Sequence, residues 1–340
     1  MKNLLTISLC ALFCSAAPFG AACDLCGCYT PQVEAMPQTD MPHLGLYAAI
    51  ADQFTHFGTV QIDGREIPNT TDQYLDSAIT QLVAGYNFTS RFALQINVPF
   101  IYRSFRRPEG FSIDEGTVGG LGDVSLLGRA VLFHHESAAR REFRLSEKNP
   151  VAIEHEPDFT ASVVALGGIK FPTGATARLK EEFNETEIPG APANGIHGHD
   201  LTLGTGSYDG VFGGQISLRY RNFFAQADTQ FTLRGDGAHQ YRFANDLAWG
   251  GGPGYYFIRT KRTIVGCQCV VSGEHKDVDR FRGEPAEDTG ITSVFLGPRI
   301  VAASGRLSGE IAAELPVSIA NTALQVVPDY RLRGSFAISW

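Results

Sequence analysis

The stretch Tyr330-Arg-Leu-Arg-Gly-Ser-Phe-Ala-Ile-Ser-Trp340 decides the fold. Its side chains fall into two alternating sets. Tyr330, Leu332, Phe336, Ile338 and Trp340 share one face, and Arg331, Arg333, Ser335 and Ser339 share the other. Period two is the signature of a strand. A strand this apolar on one side and this polar on the other is expected between lipid tails and a wet interior.

Similar runs occur throughout the chain. Between Arg91 and Arg103, the residues Phe92, Leu94, Ile96, Val98, Phe100 and Tyr102 alternate with Ala93, Gln95, Asn97, Pro99 and Ile101. Others begin near Leu44, Tyr74, Asp123, Phe159, Val211, Phe223, Tyr241, Arg262, Thr289 and Leu307. Counting them gives about twelve, an even number as single-chain bacterial barrels require. Beyond the N-terminal segment no stretch of about eighteen apolar residues exists, so a spanning helix is excluded on length. A closed barrel is the other fold that satisfies every backbone donor in hydrocarbon. The predicted fold is therefore all-β: a transmembrane antiparallel up-and-down β-barrel of about 12 strands over residues 43–340, in a bacterial cell outer membrane.

Connection lengths give an independent check. With the last strand ending in the periplasm, the short turns at Asn87–Ser90, Arg221–Asn222, Ile258–Lys261 and Ala303–Arg306 fall inside. The long connections at 104–119, 175–209 and 274–288 fall outside, as the architecture demands. Tyr86, Phe88, Phe92, Tyr220, Phe223, Tyr256 and Trp340 flank the short turns as an inner aromatic girdle. Residues 134–157 read as a charged loop that is long yet periplasmic, and Leu201–Thr205 is a further strand candidate that would spoil the parity.

The chain opens Met1-Lys2-Asn3, runs apolar from Leu4 to Phe13 and turns small through Ala22, the pattern of a secretory signal peptide over 1–22. A Pro- and polar-rich segment, 23–42, follows as a short Cys-rich periplasmic arm. The 340 residues include 37 Gly, 23 Phe and 11 Tyr, as expected of strands with one wet face and interfacial aromatics. A formal charge of −8 disfavours nucleic acid as a partner, because a basic patch would be its footprint.

Leu82-Val-Ala-Gly-Tyr-Asn-Phe-Thr-Ser-Arg-Phe-Ala-Leu-Gln-Ile-Asn-Val-Pro-Phe100 is followed by Gly119-Gly-Leu-Gly-Asp-Val124, Ile169-Lys-Phe-Pro-Thr-Gly174 and Leu203-Gly-Thr-Gly-Ser207. With Leu296-Gly-Pro298 and Leu315-Pro-Val317, these segments resemble the outer-membrane barrel family named for the meta-pathway of phenol degradation. The resemblance covers nearly the whole mature chain and implies an outer-membrane transporter for aromatic or other hydrophobic compounds. It supplies no catalytic residues.

Cys23, Cys26 and Cys28 place three thiols within six residues, close enough to share one soft ion such as Cu(I) or Zn(II). The rival reading is a local disulfide with a free or acylated Cys, which an oxidising compartment favours. Cys267 and Cys269 share a strand face with Val265 and Val271 and read as small lipid-facing residues. His197 and His199, beside Asp200 in a Gly-rich outer loop, read as solvated rather than metal-binding. The polar strand faces collect Arg91, Gln95, Asn97, Arg103, Asp123, Arg129, Arg219, Asp228, Glu310, Glu314, Arg331 and Arg333 as lumen-lining candidates. Glu310 and Glu314 would face Arg331 and Arg333 on the adjacent strand. No spacing assembles a nucleophile, base and orienting group, so an enzyme is not expected.

The expected partners are the lipid bilayer, a small-molecule solute and, through the C-terminal strand, the barrel-assembly machinery. Two functional readings follow. One is an outer-membrane channel or transporter for small, hydrophobic or aromatic solutes. The other is a closed structural or binding barrel whose Cys-rich arm binds a soft metal or docks a periplasmic partner.

Overall fold

The structure is a computed structural model that describes residues 44–138, 141–146, 149–154, 157–184, 188–260 and 262–340. The signal segment, the Cys-rich arm and the thiols Cys23, Cys26 and Cys28 lie outside the described residues.

Twelve long strands form the wall. They are β1 Gly45–Ile62, β2 Tyr74–Asn87, β3 Phe92–Glu109, β4 Ser125–Glu136, β5 Phe159–Lys170 and β6 Asp209–Tyr220, then β7 Phe223–Leu233, β8 Asp246–Arg259, β9 Thr263–Lys276, β10 Ile291–Ser304, β11 Leu307–Asn321 and β12 Leu324–Ser339. Each pairs antiparallel with its sequence neighbours. The ring closes where β1 meets β12, with Tyr47 opposite Ser339 and Ile62 opposite Leu324. Closure leaves no bare edge, so the wall needs no water for its backbone groups.

Side-chain alternation follows the period-two reading. On β3, Phe92, Leu94, Ile96, Phe100 and Tyr102 are exposed to the outside, whereas Gln95, Asn97, Ile101 and Arg103 are buried inside. On β12, Leu332 and Phe336 point out and Arg331 points in. The outward faces carry Ile216, Leu218, Phe231, Ile300 and Leu315 around the ring, an apolar band suited to lipid tails. Cys267 and Cys269 are exposed on this outer face. An exception on the outer face is Asp52, which stands between Ile50 and Phe54 on β1 and accepts a 2.5 Å bond from Thr80 on β2.

Several strand limits differ from the sequence reading, each for a physical reason. Residues 134–157 are not a plain loop: β4 continues through Glu136, and Arg141–Ser146 pairs with Asn149–Glu154 as a hairpin. The 104–119 connection is largely strand, because β3 runs on to Glu109 and Ser112–Leu121 folds back along it. Tyr241–Arg242 leaves the wall and joins a three-stranded outer sheet with Asp279–Phe281 and Glu284–Ala286, so β8 starts only at Asp246. Leu201–Thr205 forms no strand; Gly198–Leu201 is a single helical turn, and the strand count stays even. Tyr256 is not a girdle residue. Period two running from Asp246 keeps its ring inward, where it is 4% exposed, and Tyr255 faces lipid instead; the bulge falls only after it, between Tyr256 and Ile258.

Candidate functional site

The wall's inner face differs between its two ends. Near the periplasmic rim, three inward rings lie flat over glycines directly across the ladder: Tyr47 over Gly85, Phe224 over Gly254 and Tyr256 over Gly266. A β-carbon on Gly85 would fall 2.2 Å from the Tyr47 ring, so the missing side chain is what lets the ring lie against the wall. Tyr47 then donates to Gln95, which donates to Asn97. Phe224 stacks on Tyr256 with ring centres 4.2 Å apart.

At mid-height the lumen carries a compact charge cluster from β9, β10, β11 and β12. Arg331 donates to Glu274 at 2.8 Å, lies 3.7 Å from Glu314 and sits 3.8 Å over the Phe295 ring. Ser293 donates to Glu274 and Ser272 to Glu314. Arg333 approaches Glu314 at 3.4 Å and donates to Gln53 on β1. The expected pairing of both acids with the two arginines is half corrected. Glu314 stands opposite Arg331, but Glu310 stands opposite Ser335 and pairs with Arg299 of β10 at 3.7 Å. Asp228 lies inside the wall on β7.

The remaining candidates fall elsewhere. Arg91 is exposed in the turn before β3 rather than on an inner strand face. Arg129 occupies the periplasmic part of β4. Arg219, near the periplasmic end of β6, donates to the Pro157 carbonyl, which Arg259 also approaches. Asp123 sits at the outer rim, just before β4.

Asp123 is the hub of that rim. Its carboxylate accepts the backbone N–H of Gly174, the N–H of Thr205 and the Thr205 hydroxyl, and lies 3.6 Å from Lys170. The segments Gly119–Val124, Ile169–Gly174 and Leu203–Ser207, far apart in sequence, therefore converge on one buried acid. Gly174 and Gly204 pass each other so closely that a β-carbon on either would come within 2.7 Å of the other's backbone. From Asp123 an alternating series of charges runs along consecutive strand ends. Lys170 reaches Asp209 at 3.3 Å, Asp209 accepts from Arg234 at 2.8 Å, and Arg234 also binds Asp246. These partners went unread in the sequence, where each looks like a solitary charge; one charge of alternating sign per strand end was the signal available.

The loop between β5 and β6, pinched at Gly174 and Gly204, folds down into the outer half of the lumen. Ile196 and Leu201 pack on Phe57, Val60, Leu75, Phe105 and Val326, and Leu203 packs on Ile79 and Ile101. Ile196, Leu201 and Leu203 are 1%, 0% and 7% exposed. Burial on that scale stabilises by roughly 2 kcal/mol per side chain. Arg103, fully buried on β3, donates through Nη1 to the carbonyls of Asp200 and Thr202 at 2.6 and 2.5 Å. Gln73 brackets the segment by donating to Ala193 and accepting from Gly195.

His197 and His199, expected to be solvated, are instead part of this packing. Their rings stack 5.6 Å apart, and His199 stacks on Tyr241 at 5.7 Å. His199 is 4% exposed and lies 3.0 Å from Glu182 and 3.4 Å from Asp200. Burial alone would depress its pKa, but the carboxylates of Asp200, Glu182 and Asp288 outweigh it and push the imidazole up to about 10. Among the described residues no cluster of three or more His, Cys, Asp or Glu side chains is arranged to hold a metal ion.

A closed twelve-strand wall with an apolar exterior and a polar, loop-plugged interior defines a bacterial outer-membrane β-barrel. No family model matches the chain, and no curated protein matches it. Among solved structures, the outer membrane channel from Pseudomonas putida is similar over 91% of this chain and 100% of its own, with a TM-score of 0.54 at 13% identity. The β domain of the Bordetella autotransporter BrkA covers 88% of this chain with all of its own, at a TM-score of 0.40 and 11% identity. The CymD monoaromatic hydrocarbon channel covers 88% of this chain with 89% of its own, at 0.32 and 8%. What the first likeness carries over to this chain is the barrel itself.

Proposed function

We propose that this barrel is an outer-membrane channel for small solutes of hydrophobic or aromatic character. The observation that carries the reading is the inward-facing strip Phe57, Val60, Leu75, Ile79, Ile101 and Phe105 on β1, β2 and β3. Elsewhere the inner wall mixes glutamine, asparagine, serine and paired charges with apolar side chains such as Val131, Val164, Val270 and Phe295, whereas the six of this strip gather on three consecutive strands. Apolar side chains aimed at a lumen gain nothing unless something apolar meets them there. Ile196, Leu201 and Leu203 cover the strip in this structure, and a small apolar molecule would meet it in their place. The resemblance to the barrel family named for the meta-pathway of phenol degradation agrees with this solute class.

The test is uptake into protein-loaded liposomes, comparing toluene and phenol with sugars of similar size. Faster entry of the aromatics supports the reading; equal exclusion of all solutes, with no ionic current in planar bilayers, removes it. A second reading, a closed structural barrel, is favoured by Arg331, which ties β12 to β9 across the lumen side of two intervening strands. Under that reading neutralising Arg331 and Arg333 together opens a current that the parent lacks.

A further inference from the structure

The loop that covers the apolar strip is held in a way that permits withdrawal. We infer that residues 194–203 are a removable plug that occupies the solute's place on the strip, and that Arg103 is its latch. This deepens the transport reading and rests on it.

Three observations support it. The plug meets the strip through three apolar side chains, Ile196, Leu201 and Leu203, contacts that an apolar solute reproduces. The Arg103 bonds join a charge to two backbone carbonyls. Withdrawal separates no ion pair at those bonds, and water entering the lumen replaces them; the ion pairs it does part are those of His197 with Asp288 and His199 with Glu182. The base of the loop is fixed separately, by Asp123 holding Gly174 and Thr205 and by the close crossing of Gly174 and Gly204. The tip can leave while the base stays. On β3 beside Arg103, Arg107 binds Glu181 of the loop's earlier limb at 2.8 Å and also donates to the Ile196 carbonyl, so the limb keeps an anchor on β3 while the tip must release one further charge-to-carbonyl bond.

The experiment reads movement and transport separately. Leu201→Cys is introduced into the full chain in liposomes and titrated with a membrane-impermeant maleimide, with the parent protein as blank. Cys267 and Cys269 are on the lipid face, and the blank measures whatever labelling occurs at Cys23, Cys26 and Cys28. Arg103→Gln is expected to speed labelling by about tenfold or more, the loss of two charge-assisted bonds, and toluene is expected to speed it in the Arg103 protein. As a complement, Gly195→Cys with Val326→Cys forms a lock, since a β-carbon on Gly195 would lie 3.2 Å from the Val326 side chain. Oxidation should then suppress both labelling and toluene entry, and reduction should restore them. Parent-rate labelling in an Arg103→Gln barrel that still resists detergent unfolding overturns the inference. So does undiminished toluene entry through the oxidised lock, which leaves the channel reading standing. Labelling that responds to Arg103→Gln while no vesicle admits any solute overturns the channel reading and leaves the plug.

Discussion

Arg331 on β12 and Glu274 on β9 meet at 2.8 Å although β10 and β11 lie between their strands in the wall. The contact is possible because both side chains point into the lumen, where curvature shortens the path that the ladder must follow around the ring. Glu314 and Ser293 complete the set, so neither charge is left with a single partner.

Removing one member strands the others. Arg331→Met should destabilise the barrel by roughly 3–5 kcal/mol, because it leaves two buried acids without their shared cation. Combining it with Glu274→Gln should cost less than the sum of the two single changes. Urea unfolding in lipid vesicles, followed by tryptophan fluorescence, measures the cycle; strict additivity would show that the pair is not coupled.

The Tyr47 ring over Gly85 makes a steric prediction. Gly85→Ala should cost about 1–3 kcal/mol, since the ring must leave its rotamer or the strands must part. In a Tyr47→Ala background the same methyl should be close to neutral. Equal costs in both backgrounds, measured by the same unfolding assay, would place the penalty somewhere other than the ring.

His199 gives the plug a pH dependence of definite sign. Its folded pKa is about 10 against an ordinary 6.5, so folding favours the protonated form. The stabilisation is full below pH 6.5 and declines as pH rises toward 10. Tyr241, stacked on it, keeps its proton through that window because burial, followed by the neighbouring Asp279, holds it well above 10. Amide exchange across residues 195–205 should therefore quicken, beyond its intrinsic pH trend, between pH 7 and 10, and His199→Gln should flatten that excess. An identical excess in both proteins rules the imidazole out.

Asp52 offers a stabilising substitution. Its carboxylate faces lipid with Thr80 as its partner. Asp52→Leu should raise stability by about 1–2 kcal/mol, less than the gain expected for a cation at the same depth. A loss of stability in vesicle unfolding would mean that something other than lipid meets this side chain.

The sequence discloses the outer half of the wall and little of the inner. Phe92 through Tyr102 can be read residue by residue because lipid imposes one requirement on every second position. The lumen imposes no such uniform requirement: on β3 it accepts Gln95, Pro99, Ile101 and Arg103 in turn. The plug is invisible for the same reason, since Ile196, Leu201 and Leu203 follow no period and serve contacts with strands more than 90 residues away. Tyr256 shows a different limit. Tyr255 and Tyr256 fall on opposite faces by plain alternation, and nothing in Gly-Tyr-Tyr-Phe marks which of the two looks outward. Glu310 pairs with Arg299 because a strand has two neighbours, and it is β10 rather than β12 that brings a guanidinium to it.

The ring is completed by its own first and last strands, Tyr47 lying against Ser339. Any shorter product, lacking even the final dozen residues, would present two unzipped borders nearly 300 residues apart in the chain, each able to recruit a stranger. Maturation of this wall is thus a single terminal event, and a chain caught before it resembles an adhesive more than a half-built pore.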